Sequence, residues 1–331
     1  MQKRSPKYPI SGWINLYKPY GLGSTSAVGA VKRLLRPQKI GHAGTLDPLA
    51  EGVLPLALGE ATKTVPYMMD ARKTYEFRVV WGEARSTDDA EGEVIETSDV
   101  RPTDDAIKAV LPQFSGRITQ IPPAYSAIKI DGKRAYDLAR AGEDVQMKPR
   151  EVEVFSLELD SRLRGNDEEN ASKSPRKRPA QFIAAEGSEN LAETTFVVTC
   201  SKGTYVRSLA RDIARALGTV GYVSYLKRAA VGRFCETNAI SLDFLEDFVH
   251  KAPSLQEILA SEWLLPVSDA LDDIPALTLD ATAEKALRHG QFIPDSYDGE
   301  ESELAVYVQG KLVAIVSRQN GLLKPKRVFN C

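Results

Sequence analysis

Gly41-His42-Ala43-Gly44-Thr45-Leu46-Asp47-Pro48-Leu49-Ala50-Glu51-Gly52-Val53-Leu54-Pro55 sets one acid among glycines and runs straight into the apolar Val53-Leu54-Pro55-Leu56-Ala57-Leu58. Glycine permits backbone shapes and close approaches that other residues cannot make. Pro48 biases Asp47 away from helix and stiffens the turn behind it. The stretch therefore predicts a carboxylate on a shaped loop backed by a buried segment. The residues alone leave two readings open. Asp-Pro is a common turn former, and Asp47 could be no more than that. Alternatively, the loop presents the carboxylate for chemistry.

Working outward, Trp13-Ile14-Asn15-Leu16 predicts a short strand, ended by the turn Lys18-Pro19-Tyr20-Gly21. Ser24-Thr25-Ser26 can cap a helix running to about Leu35. Residues 74–81 and 152–159 alternate with period two, as half-buried strands do. Helices are expected over 104–111 and 204–217, the second with Gly218 as its stop. Strands and helices interleave without a regular βαβ beat, so a mixed sheet is expected rather than a doubly wound one. After a linker near 250–262, the strand-like runs 304–308 and 312–316 flank Gln309-Gly310-Lys311 and predict a hairpin. Residues 161–190 are rich in Gly, Asn, Ser, Pro and mixed charge, including Arg176-Lys177-Arg178, and read as a disordered insertion.

Composition narrows the function classes. The 331 residues suffice for two domains, and 43% are hydrophobic, enough for a sizeable core. A formal net charge of -2 does not announce a polyanion partner, so nucleic-acid binding would need a local basic surface. One candidate exists: eight Lys and Arg from Lys3 to Lys39 precede the loop, with no acid among them. Cys200, Cys235 and Cys331 form no C-x-x-C and are odd in number, which argues for a reducing compartment and against a disulfide framework or structural zinc. The three histidines are too scattered for a metal site. No signal peptide or membrane span is evident, so a cytoplasmic location is expected. No P-loop, dinucleotide fingerprint or metal spacing is present, so no cofactor is expected.

The stretch 41–55, followed by Leu58-Gly59-Glu60-Ala61-Thr62-Lys63, resembles the catalytic motif of the bacterial tRNA pseudouridine synthases of the TruB family, roughly G-H-x-G-x-L-D-P-x-A-x-G-x-L-P. The resemblance runs from about Gly12 to the C-terminus, interrupted at 161–190. It implies an α+β protein: a mixed-sheet catalytic domain over 12–250, with a thumb-like RNA-gripping segment at about 120–150, and a small β-rich PUA-like RNA-binding domain over 264–328. It implies isomerisation of the T-loop uridine at position 55 of tRNA, with the C1′–N1 glycosidic bond exchanged for C1′–C5. The partner is tRNA, through its T-loop and acceptor region. Neither an obligate protein partner nor a membrane is implied, and a monomer is the default.

The resemblance also assigns residues. Asp47 takes the catalytic role, and carboxylates suit glycosidic chemistry as base, nucleophile or oxocarbenium stabiliser. Tyr75, in Lys73-Thr74-Tyr75-Glu76-Phe77, matches the family's active-site tyrosine. Ser201-Lys202-Gly203-Thr204-Tyr205-Val206-Arg207 resembles the S-K-G-x-Y-[IV]-R segment, in which Arg207 would pair with Asp47 and Tyr205 would line the uracil pocket. Leu226 matches the apolar residue that packs on the base. His42 matches the histidine that fills the space left by flipped nucleotides. Lys18 and Lys63 are candidates for positioning the sheet edge and phosphates. The segment 120–129 resembles the start of the thumb, with a helix through Arg134 to Arg140.

Two positions depart from the family pattern. Ser86 stands where an Asp is usual, which predicts weaker capping of that loop or a weaker tRNA contact, and Tyr17 stands where an acid is common. Rival readings are a guide-RNA-dependent pseudouridylase, a tRNA folding chaperone with weak or no catalysis, and a glycosidase. The last predicts a second acid beside Asp47.

Overall fold

The apolar run after Asp47 becomes the strand Ala50–Leu58, buried at every residue but Glu51. Such a continuous run marks a strand covered on both faces. The computed structural model describes residues 7–126, 128–130, 132–143, 145–160, 191–251 and 254–330. The expected insertion at 161–190 lies outside the described residues. By compactness the chain forms two units, Met1–Ala71 with Ala229–Cys331, and Arg72–Arg228. The architecture is α+β with mixed sheets and a β-rich C-terminal part.

In the first unit, Gly12–Lys18 pairs antiparallel with Ala50–Leu58, in register from Gly12↔Leu58 to Lys18↔Gly52. Ile40–His42 pairs with the same strand. The helix Ser24–Leu35 presses Ala27, Val31 and Leu35 into a core with Ile14, Leu16 and Leu56. The span expected as a linker is instead built into this core. It carries the helix Leu255–Leu259, started by a capping box between Ser254 and Glu257, and buries Ile258 and Trp263. Ser-x-x-Glu before an apolar residue is a helix-start signal that its charged surroundings obscured.

The C-terminal hairpin is present as Glu303–Val308 and Lys311–Gln319. Its loop residues Gln309 and Gly310 have φ of 50° and 77°, the doubly positive pattern of a type I′ turn. Asn320-Gly321 repeats that pattern, at 51° and 73°, to join Leu322–Val328. Ala276–Thr278 and Ile293–Pro294 complete a five-stranded sheet. Phe329 and Ile315 share a core cluster with Trp13 and Ala57.

In the second unit the strands run in the order Gly221–Val231 (to Arg228), Lys73–Trp81, Glu193–Cys200, Arg150–Leu159, Gly116–Gln120. Phe77 sits opposite Phe196, their rings stacked at 5.1 Å. The strands Arg150–Leu159 and Glu193–Cys200, which flank 161–190 in sequence, are antiparallel neighbours. The helix Val206–Ala216 buries Leu209, Ala210, Ile213 and Ala214 against this sheet and stops at Gly218, with φ 70°. It starts two residues later than expected, because Tyr205 is an extended N-cap whose N–H is taken by Gln120 Oε1 at 3.1 Å. Cys200 is plain core, and burial pushes its thiol up to about 11.

Candidate functional site

The Asp47 loop in the first unit is held by its backbone. Ser24, expected to cap a helix, is instead that helix's first residue, and Gly23 is the N-cap. The buried Ser24 hydroxyl accepts the Leu46 N–H at 2.9 Å and donates to the Leu46 carbonyl at 2.7 Å. On the other side of Asp47, the Pro48 carbonyl accepts the Gly21 N–H at 2.8 Å. The Asp47 carbonyl takes the Ala50 N–H at 3.1 Å. Asp47 itself is half-buried. His42 ends the strand Ile40–His42 opposite Leu56, five residues before Asp47.

The two lysines expected to position the sheet edge and phosphates are both engaged by protein groups. Lys18 is 0% exposed, and its ammonium donates to the carbonyls of Pro19 (3.0 Å), Leu22 (2.6 Å) and Pro48 (3.5 Å). A buried ammonium must be satisfied by such acceptors, and these tie Lys18 to the turn beside Asp47. Lys63 donates to Glu60 at 2.6 Å and to the Val328 carbonyl at 2.7 Å, which ties the C-terminal strand to the segment Gly59–Lys63.

The second unit brings together Tyr75, Tyr205, Arg207 and Leu226 on adjoining elements. Tyr75 and Leu226 both pack at the rim of the cluster built on Phe77, Val198 and Leu209. Arg207 is no surface arginine: it is 5% exposed. Its Nη1 donates to the Thr87 carbonyl at 3.0 Å and to Asp89 Oδ2 at 3.1 Å, and its Nη2 to the Tyr125 carbonyl at 3.0 Å. Gln120, buried, also donates to the Tyr205 carbonyl at 3.4 Å. The Arg150 guanidinium lies 5.6 Å from the centre of the Tyr205 ring. The helix expected through Arg134 to Arg140 is observed as Ala135–Arg140, and Tyr136 meets Tyr125 edge to face at 6.0 Å.

Sequence reasoning missed Gln120 and the pairs Asp89–Arg207 and Asp88–Arg211. The last is 2.9 Å long and largely buried. Its signal was present as two adjacent acids in a loop and two arginines at i and i+4 on a helix, but the pairing joins residues over a hundred positions apart. Burial pushes the Asp88 carboxyl up, against the pull of Arg211 and Arg207. Ser86 lies in a loop that is capped by a neighbouring acid. Asp89 Oδ1 caps this loop, accepting from Thr87 Oγ1 at 2.5 Å and from the Glu91 N–H at 3.0 Å. Gly92 closes it, since a Cβ there would lie 2.6 Å from the Thr87 nitrogen.

Comparison with known proteins follows the same lines. Residues 32–206 match the TruB family pseudouridylate synthase N-terminal domain, and 207–272 match the tRNA pseudouridylate synthase B C-terminal domain. A protein of Nitrobacter winogradskyi named tRNA pseudouridine synthase B is 48% identical, covering 99% of this chain and 85% of its own. The same-named protein of Sinorhizobium medicae is 46% identical over 98% of each. Among solved structures, a Cbf5-Nop10-Gar1 complex is matched with a TM-score of 0.68 at 26% identity, covering 96% of this chain and 85% of that one.

Proposed function

Because the chain belongs to the TruB family of pseudouridylate synthases, and so to the isomerases that act as tRNA pseudouridine synthases, we propose that its substrate is the T-loop uridine at position 55 and that Asp47 is its catalytic carboxylate. The observation that carries this reading is the Asp47 loop, pinned through Leu46 and Pro48 on either side of the acid. A rate enhancement from a positioned group depends on such fixing, since a misplacement of about 1 Å can cost on the order of a hundredfold.

The reaction breaks C1′–N1, turns the freed uracil, and forms C1′–C5. The C5 proton is released and N1 gains one, so no oxidant, reductant or phosphoryl donor is consumed. Asp47 serves the sugar or base during bond exchange. Tyr75 stacks on the uracil and takes part in moving the C5 proton. Arg207 supplies a fixed positive charge that keeps the carboxylate chemistry ionised and aimed. Tyr205 and Leu226 wall the base. Extracting the uridine from the folded T-loop costs a few kcal/mol of unstacking, and His42 fills the vacated space. The segment 264–328 acts as the RNA-binding module for the acceptor region, and the enzyme works in the cytoplasm.

The test is tritium release from tRNA labelled at uridine C5, in an assay containing no guide RNA and no second protein. Release is expected, and a transcript with cytidine in place of uridine 55 should give none. Release from both transcripts alike would reject the T-loop assignment. Tight tRNA binding without release from either would favour the chaperone or guide-dependent reading.

A further inference from the structure

The loop 86–92 engages the helix Val206–Ala216 through two buried ion pairs in step, Asp89 with Arg207 and Asp88 with Arg211. Adjacent side chains on an extended backbone point to opposite sides. Here Asp88 takes φ 59°, a left-handed conformation rare for a non-glycine residue, and both carboxylates reach the same helix. The arginines lie four apart, on one helix face. Each also uses its remaining Nη to grip the strap that begins the thumb. Arg207 holds the Tyr125 carbonyl at 3.0 Å, and Arg211 holds the Ile121 carbonyl at 2.8 Å. Ser208 donates to the same Ile121 carbonyl at 2.8 Å. Arg211 is thus fully committed, its Nε going to Asp212 at 3.1 Å.

An ordinary surface salt bridge is exposed and worth little. The Asp88–Arg211 side chains are only 16% and 18% exposed, and the pair fixes both walls that Arg207 touches, the loop and the strap. We propose that Asp88–Arg211 is a positioning pair for the isomerisation: it holds Arg207 in its working place without touching substrate. This inference rests on the reading that Arg207 serves the reaction.

The experiment compares wild type, Asp88→Asn, Asp88→Glu, Arg211→Gln and Arg207→Lys, all full length. It measures single-turnover tritium release and tRNA affinity. Asp88→Asn keeps the shape and removes a buried charge. We expect it and Arg211→Gln to slow the chemical step about tenfold with the tRNA Kd within about twofold of wild type. Asp88→Glu should recover most of the rate. Full rates in both Asp88→Asn and Arg211→Gln would overturn the proposal, as would equal losses in rate and affinity. If those rates are full and Arg207→Lys is slow, only the positioning idea fails. A full rate in Arg207→Lys would remove the role of Arg207 and the proposal with it.

Discussion

The loop around Asp47 and the loop around Asp89 both present an acid, and buried groups of different kinds hold them. The first is gripped through peptide groups: Ser24 on Leu46, and Gly21 and Lys18 on Pro48. The second is gripped through its carboxylates, which meet arginines at 3.1 Å and 2.9 Å. Peptide anchoring sets where a residue sits through its backbone, which suits a loop that must present a side chain. Charge anchoring commits the side chain to structure.

The comparison breaks most easily at Arg207. Arg207→Gln leaves Asp89 buried without its cation, and losing one partner of a buried pair costs roughly 3–5 kcal/mol. Urea unfolding should show that loss, together with a collapse of isomerisation. A stability unchanged by the substitution would mean that the charge anchor is not structural.

Ser24→Ala sharpens the other side. It removes both bonds to Leu46 and should cost about 1–3 kcal/mol, with faster exchange of the Leu46 amide and slower isomerisation at unchanged tRNA affinity. An unaltered rate would mean that the Asp47 loop does not need this anchor.

The smallest effect concerns pH. The Asp88 carboxyl is raised by burial, so between the unfolded value near 3.8 and the raised folded value the folded chain binds more protons than the unfolded one. Asp88 therefore costs stability as pH rises through that window. Relative to wild type, Asp88→Asn should look more stable at neutral pH than at pH near 4, by urea unfolding at both. The opposite trend would contradict the burial of that charge.

What could be read in advance followed from locality. Period-two alternation located Lys73–Trp81 and Arg150–Leu159, and Gln309-Gly310-Lys311 marked a hairpin, because each depends on neighbours in sequence. The 41–55 motif pointed to the TruB family by its length and order. The errors share a different cause. Ser24 looked like a cap because its tertiary partner, Leu46, is 22 residues away. The burial of Lys18 went unread because nothing local reveals it. Asp88 and Asp89 went unread because their arginines lie on a distant helix. Pairing between remote segments is a property of the fold, and one sequence does not display it.

The most direct test of the account is tritium release by Asp47→Asn beside wild type on the same labelled tRNA, with tRNA affinity measured for both. The account predicts release by wild type, no detectable release by Asp47→Asn, and equal affinities. Release by Asp47→Asn at a rate close to wild type would contradict it.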